Sequence, residues 1–170
     1  MMRLLVISDT HGQHDRIDRV VRQAGHHDFI IHAGDHALDI LESDHAANAI
    51  TVCGNCDAPN DAKVEQVFDL LDFKFFVAHG HTLHVKTTPL SLMYRAAEHQ
   101  ANITIYGHTH TPTLFVQENR IFMNPGSLAY PRGYTECTYA IIELENREAH
   151  ISYYTLDGQR IPSFDLTYSL

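Results

Sequence analysis

The chain has 170 residues, of which 44% are hydrophobic, and its 21 Asp and Glu residues outnumber its 12 Lys and Arg residues. This length and apolar fraction predict a single globular domain over residues 1–170 and exclude a disordered chain. The acidic balance, with no run of Lys or Arg, argues against a protein that binds duplex nucleic acid through its phosphates. No apolar run is long enough for a signal peptide or a membrane span, so we expect a cytoplasmic protein without a membrane partner.

The first part of the sequence alternates predicted strands with predicted helices. Continuous apolar runs are typical of strands buried on both faces, and they occur at residues 4–7, 29–31, 49–52, 73–78 and 103–106. After the first run, apolar residues at helical spacing predict a helix that ends at Gly25. A weaker helix is expected over residues 38–43, and Thr88-Pro89 predicts the start of another. Residues 64–71 are ambiguous, and an edge strand is one interpretation.

The pattern changes after residue 110. Residues 113–116 and 120–123 predict a hairpin that turns at Glu118-Asn119. Alternating residues at 137–144 predict a half-buried strand, and residues 149–155 predict its antiparallel return. A βαβ-like first part followed by such a meander favours two packed sheets with helices outside, rather than one doubly wound sheet.

Polar side chains that can bind a metal ion follow five of these strands directly. They are Asp9 and His11, then Asp35, then Asn55, then His79 and His81, and finally His108 and His110. Because functional groups of α/β sheets gather beyond the carboxyl ends of the strands, we expect these side chains to meet. Carboxylate, imidazole and amide groups suit divalent first-row metals, and so many ligands favour two ions over one. Glycines beside most of them are expected to permit the sharp turns of these loops.

Each motif alone has a plainer interpretation. Asp9 could cap the first helix, Asp35 or Asn55 could serve a turn, and the histidines could be exposed at strand ends. Cys53 and Cys56 form a C-x-x-C, which a redox protein would place at the start of a helix. The residues that follow predict a loop instead, so Cys53 is expected to pack in its strand. Three cysteines, an odd number, do not predict a disulfide framework.

Four further features lie near the motifs. His32 is expected to be a hydrogen-bonded histidine of the core. His36 could support Asp35 from outside, or be an ordinary surface residue. Residues 124–127 predict a structural turn beside the site. Arg132 could reach a substrate phosphate, although a plain surface arginine is an equal interpretation.

In order along the chain, the motifs read D-x-H, G-D, G-N-x-D, H-G-H and G-H-T-H, and together they resemble those of the calcineurin-like metallophosphoesterases. The short length, the Cys in Gly54-Asn-Cys-Asp57, and Asn124-Pro-Gly-Ser with Pro131-Arg-Gly133 are similar to the small YfcE-type phosphodiesterases of bacteria and archaea. This resemblance implies an α/β fold, a four-layer α/β/β/α sandwich of two mixed sheets flanked by helices.

The resemblance also implies roles for the motif residues. A first metal ion would be held by Asp9, His11 and His110, a second by Asn55, His79 and His108, and Asp35 would bridge them. Manganese is the first expectation for both divalent ions, with Fe, Ni, Co and Zn as alternatives. A metal-bridging hydroxide would attack a small phosphodiester, and the catalytic groups would be His79, His81, Asn55 and Cys56.

Cys56 departs from the family pattern, because many members have a histidine there. A thiol is a poor general acid for an alkoxide, so we expect weak activity on esters with poor leaving groups.

A phosphomonoesterase or nucleotidase on the same site is an alternative, although a single arginine near the motifs favours diesters. A non-catalytic scaffold, as in the retromer-subunit branch of the fold, is a further alternative. No motif in the sequence identifies the physiological substrate. The aromatic C-terminal strands could support a homo-oligomer.

Overall fold

A computed structural model describes residues 1–170 and contains three α-helices and eleven β-strands. The helices are α1 (His14–Ala24), α2 (Leu38–Leu41) and α3 (Leu90–Glu98). The first six strands are β1 (Met2–Ile7), β2 (Phe29–His32), β3 (Ala49–Thr51), β4 (Glu65–Leu70), β5 (Phe73–Ala78) and β6 (Ile103–Tyr106). The last five are β7 (Thr113–Gln117), β8 (Arg120–Asn124), β9 (Thr138–Glu145), β10 (Glu148–Thr155) and β11 (Leu166–Ser169).

Two mixed sheets are built from these strands. The first has the order β11-β10-β9-β1-β2-β3, and the second has the order β4-β5-β6-β8-β7. Each contains a parallel group, β1-β2-β3 in the first and β5-β6-β8 in the second. All strands of a parallel group end at the same edge, so the loops that follow them lie side by side.

Three apolar clusters separate four layers. Alternate residues of β1 face opposite sides: Leu4 and Val6 join the core between the sheets, whereas Leu5 and Ile7 pack under α1 and α2. A third cluster joins α3 to the outer face of the second sheet through Leu92 and other buried residues. The predicted α/β/β/α sandwich of two mixed sheets is therefore confirmed.

The strand predicted at residues 137–144 is confirmed as β9, but the prediction that it is half-buried was wrong. Strand β9 lies between β1 and β10 in the middle of the first sheet, and its first five residues are all buried. Ala140 and Ile142 face the core between the sheets, while Tyr139 and Ile141 face the helical side. The alternation in its sequence separates two apolar environments rather than core from solvent.

Most other element predictions are confirmed. The ambiguous residues 64–71 form β4, which is an edge strand of the second sheet. Helix α3 begins at Leu90, one residue later than the Thr88-Pro89 start predicts, and the Thr88 hydroxyl still accepts the Leu90 amide at 3.3 Å. Strand β11 was not predicted. None of the helices combines the length and apolarity that a membrane crossing requires.

Tyr153 connects the two sheets through its hydroxyl. Its ring is buried in the core between the sheets. The hydroxyl lies 2.8 Å from the Thr113 carbonyl and 2.9 Å from the Asn124 carbonyl, both on paired strands of the second sheet. Asn124 begins the turn that adjoins the strand ends of interest, so Tyr153 also fixes that turn.

We expect Tyr153→Phe to lower the free energy of unfolding by about 1–3 kcal/mol, because two buried carbonyls lose their shared donor. Urea denaturation at fixed pH measures this value. Tyr154→Phe is the matched control, since that neighbouring hydroxyl forms no hydrogen bond within the protein. Equal losses in the two variants would contradict the role given to Tyr153.

Candidate metal centre

The carboxyl ends of the two parallel groups face each other, and the motif residues come together there. Nδ1 of His79, which follows β5, lies 2.7 Å from the carbonyl of Ala33, which follows β2. Gly107, at the end of β6, packs directly against Ser8 and Asp9 at the end of β1. The site is therefore shared by both sheets.

One group of four side chains has its ligand atoms within 4.8 Å of one another. The group contains Asp9, His11, Asp35 and His110. Nε2 of His110 lies 3.1 Å from Oδ1 of Asp9, and Nε2 of His11 lies 3.7 Å from Oδ2 of Asp35. Both carboxylates are buried, with exposed fractions of 0% and 2%.

A second group of imidazoles lies on the other side of Asp35. Nε2 of His79 is 3.3 Å from Oδ1 of Asp35 and 3.9 Å from Oδ1 of Asp9. The His79 ring centroid is 5.1 Å from that of His108 and 5.4 Å from that of His81. The two oxygens of Asp35 therefore face different histidines, Oδ2 toward His11 and Oδ1 toward His79.

Several buried polar atoms in this site have no hydrogen-bond partner. They are Oδ1 of Asp9, Nε2 of His11, Nε2 of His79 and Nδ1 of His81. Leaving such atoms unpaired is costly, because each has given up its contact with water. Carboxylate oxygens and imidazole nitrogens are also the ligands that divalent first-row metals prefer. The residues therefore fit a bound metal ion in both position and chemistry.

Asp35 and His79, which lie together at the centre of the site, shift each other's pKa. Burial alone would raise the pKa of Asp35, but the nearby His79 and the amide of Cys56, 2.9 Å away, hold that pKa well below its usual range. Burial likewise opposes protonation of His79, yet Asp35 and Asp9 raise its pKa. The carboxylates thus attract positive charge to this point.

Most of the surrounding imidazoles are held neutral, which is the form that binds metal. Burial, followed by the charges of His79 and Lys86, lowers the pKa of His108 to about 4. Burial also lowers the pKa of His11 and His81. His79 and His110 are the exceptions, and the contact of His110 with Asp9 raises its pKa.

The backbone is strained at most of the predicted ligands. Five of the predicted ligands have a positive φ: Asp9 at 53°, His11 at 45°, Asp35 at 61°, His108 at 66° and His110 at 59°. Side chains other than glycine rarely adopt this left-handed region, and each such residue costs about 1–3 kcal/mol. The rest of the fold must therefore hold these loops in place.

The prediction that the glycines serve sharp turns was wrong for Gly54 and Gly107, which do not have a positive φ. A Cβ at Gly54 would lie 2.1 Å from Oδ1 of Asp35. A Cβ at Gly107 would lie 2.2 Å from Oγ of Ser8 and 2.8 Å from Oδ2 of Asp9. These two glycines leave room for the carboxylates.

Supporting groups that the sequence did not reveal hold the ligands from behind. The Ser127 hydroxyl donates to the Asp9 carbonyl at 2.8 Å, and Nδ1 of His110 donates to the Tyr130 carbonyl at 2.7 Å. The buried carboxylate of Asp39 accepts hydrogen bonds from the Thr10 hydroxyl and the Gly12 amide. Any residue can offer a backbone carbonyl, so the sequence holds no signal for the Tyr130 contact. Ser127 lies in the turn that the sequence predicts beside the site, which is the one available signal for its role.

Asn55 and Cys56 are less enclosed than the other predicted site residues. Both are exposed, and Nδ2 of Asn55 has one hydrogen-bond partner, Sγ of Cys56 at 3.4 Å. Desolvation raises the pKa of the Cys56 thiol to about 11, the opposite of what a redox C-x-x-C requires. Cys53 is buried as expected, and its thiol lies 3.0 Å from the Ala62 carbonyl. The ligand role of Asn55 stays a prediction.

His32 is a core histidine, as predicted. It is fully buried, and its two ring nitrogens lie 3.1 Å from the hydroxyls of Thr10 and Thr51. Burial lowers its pKa to about 4, so the ring is neutral. It supports the loop after β1 rather than joining the ligand group.

A two-sheet α/β sandwich that collects carboxylates and imidazoles where its parallel strands end is the architecture of a metal-dependent hydrolase. The chain belongs to the calcineurin-like phosphoesterase superfamily, whose domain matches residues 2–147. This match includes every predicted ligand.

Individual relatives support this membership. The chain is 35% identical over 161 residues to the probable metallophosphoesterase YsnB of Bacillus subtilis, covering 94% of this chain and 95% of that one. It is 28% identical over 170 residues to the phosphodiesterase YfcE of Escherichia coli, covering 84% and 88% respectively.

A crystal structure of a predicted phosphoesterase from Streptococcus pneumoniae superimposes with a TM-score of 0.87 at 30% identity. It covers 99% of this chain and 98% of that one. Zinc-bound Vps29 of Entamoeba histolytica has a TM-score of 0.76 at 24% identity, over 99% of both chains, and shows the likeness of fold alone.

We expect Gly107→Ala to weaken metal binding at least about tenfold, because its methyl group would displace the Asp9 carboxylate. Titration calorimetry with Mn²⁺ measures this affinity, and circular dichroism checks that the variant is folded. Gly25→Ala is the control for backbone strain without a steric clash, since its φ is 69° and a Cβ there meets no atom within 4 Å. Unchanged affinity in folded Gly107→Ala would contradict the close approach.

Proposed function

We propose that this protein hydrolyses phosphodiesters with the help of two divalent metal ions. The observation that carries the proposal is the position of Asp35, whose two carboxylate oxygens face two different groups of imidazoles. Membership of the phosphoesterase superfamily and the phosphodiesterase name of the E. coli relative support the reaction type.

Two sets of ligands are assigned in this proposal. The first ion would be held by Asp9, His11 and His110, and the second by His79, His108 and Asn55, with Asp35 as a ligand that both could use. The partial exposure of His11 and His108 leaves the site open to a substrate from outside. Manganese is the first candidate, because carboxylate and imidazole ligands suit it, and Fe, Ni, Co and Zn fit the same set.

Bound ions of this kind would supply Lewis acidity and lower the pKa of water, so that hydroxide is available near neutral pH. The residues of the chain orient the reaction. Nδ1 of His81 is buried without a partner and lies beside His79, so it can hydrogen-bond a phosphoryl oxygen. Its lowered pKa leaves the ring neutral, able to accept a proton at one nitrogen and donate at the other.

With Mn²⁺ added, we expect bis(p-nitrophenyl) phosphate to be hydrolysed with a higher kcat/KM than p-nitrophenyl phosphate. Chelation should abolish turnover, and Asp35→Asn should lower kcat/KM at least about a hundredfold, because a shared ligand is weakened. Release of nitrophenolate measures each rate, and Asp72→Asn, in the exposed turn between β4 and β5, is the control.

Unchanged diester turnover after thorough metal removal would contradict the proposal. A higher kcat/KM for the monoester would show instead that the protein is a phosphomonoesterase that uses the same site.

Cys56 bears on which diesters are hydrolysed. Its backbone amide donates to Asp35, so the residue lies beside the proposed ions. Because its pKa is raised to about 11, the thiol is neutral at pH 7 but is too weak an acid to assist an alkoxide readily. We propose that the protein favours esters whose leaving groups need little protonation.

We expect Cys56→His to raise kcat/KM toward an alkyl diester more than toward bis(p-nitrophenyl) phosphate, because an imidazolium can protonate the poorer leaving group. The two rates are compared for wild type and variant at pH 7. Cys56→Ser serves as a control without an acid of suitable pKa. Equal changes for both substrates would contradict a leaving-group role at this position.

A further inference from the structure

A cleft of about 390 Å³ lies beside the metal-binding motif after β6. Its lining includes Thr109, which separates the two motif histidines, and Tyr106, which ends the strand. Two cationic residues complete it, Lys86 and Arg132. The cleft therefore adjoins the loop that carries His108 and His110, two of the predicted ligands.

The charge of this cleft is opposite to that of the protein as a whole. The chain carries a formal net charge of −9, yet two cations and no carboxylate line the cleft. Neither Lys86 nor Arg132 forms an ion pair with any residue of the chain. A cationic cleft on an acidic protein draws anions to one place and repels them elsewhere.

The neighbouring clefts differ. One of about 380 Å³, lined by Asn55 and His81, contains Asp57 and no cation. Another of about 250 Å³ is lined by four carboxylates and no Lys or Arg, and these are Asp18, Asp39, Glu42 and Asp44. Of these three clefts, the one that holds Lys86 and Arg132 is therefore the one whose lining favours an anionic group.

Both cations are positioned by the metal motifs themselves. The Arg132 amide donates to the His110 carbonyl at 3.0 Å. Lys86 follows a turn in which the Val85 amide donates to the Gly80 carbonyl at 3.3 Å, and a Cβ at Gly80 would lie 2.7 Å from Val85. The backbone at each cationic residue is thus anchored to a loop that carries motif histidines.

A hydroxyl that lines the same cleft adds a donor. Oγ1 of Thr109 accepts hydrogen bonds from Nδ2 of Asn124 at 3.0 Å and from the Thr111 amide at 3.2 Å. With both acceptor positions used, its own proton remains available for an acceptor in the cleft.

We infer that this cleft binds a second phosphate of the substrate, so that the preferred phosphodiester carries a phosphate group on one of its two esterified groups. The inference rests on the proposed function and names its substrate class. The Arg132 guanidinium offers a planar set of donors, and the Lys86 ammonium offers a compact charge, which together suit a dianionic phosphate.

The test compares two chromogenic diesters that share the scissile bond and the leaving group. They are the p-nitrophenyl ester of thymidine 5′-phosphate and the same compound with a 3′-phosphate. With Mn²⁺-loaded protein at constant ionic strength, we expect kcat/KM to be about tenfold higher for the 3′-phosphorylated compound. In the double variant Lys86→Gln/Arg132→Gln the ratio should fall to about one, whereas Arg22→Gln, an exposed arginine of α1, should retain it.

A ratio of about one in the wild type, or an unchanged ratio in the double variant, would overturn the inference. If neither diester is hydrolysed, the proposed reaction fails, and binding then decides the inference separately. Calorimetry would compare thymidine 3′,5′-bisphosphate with thymidine 5′-phosphate on the Mn²⁺-loaded protein. About tenfold tighter binding of the bisphosphate, lost in the double variant, supports the cleft, and equal affinities overturn it.

Discussion

Two carboxylates, Asp9 and Asp35, are buried together where both sheets end, and the arrangement of the site depends on them. Buried charges are costly unless positive charge lies close by. The chain meets this need with His79 and His110, whose pKa values the carboxylates raise and which approach them to 3.1 Å. Glycine at positions 54 and 107 leaves the space that the two carboxylates occupy, because a Cβ at either position would clash with them.

The two-sheet sandwich stabilises this arrangement. Parallel strands buried on both faces deliver their ends to one edge, and three apolar layers hold those ends rigidly. This packing offsets the backbone strain at the ligands, which the loops would relieve if they were free. Tyr153 adds a polar link from the first sheet to the turn behind the site. The candidate site is therefore a property of both sheets and of no single loop.

Sequence reasoning pointed to the predicted ligands because their type and their position after apolar runs are local signals. It placed His79 and His108 correctly at strand ends from the same patterns, whereas residues 64–71 stayed ambiguous, with the edge strand they form as one interpretation. It misjudged β9, because alternation does not distinguish solvent from a second apolar layer. It also missed the Tyr130 carbonyl behind His110, and the close approach that explains Gly107, since both depend on segments distant in sequence. The cationic cleft likewise joins two loops, so Lys86 had no signal of its own.

We propose that two metal ions share Asp35, one on the His110 side and one on the His108 side. Electron paramagnetic resonance of the Mn²⁺-loaded protein detects such sharing, because two ions that share a ligand couple magnetically. In the wild type we expect the spectrum of a spin-coupled manganese pair. In His108→Asn, which lacks one ligand of the second ion, we expect the six-line signal of a single Mn²⁺ ion. A six-line signal of isolated Mn²⁺ in the fully loaded wild type would contradict the account.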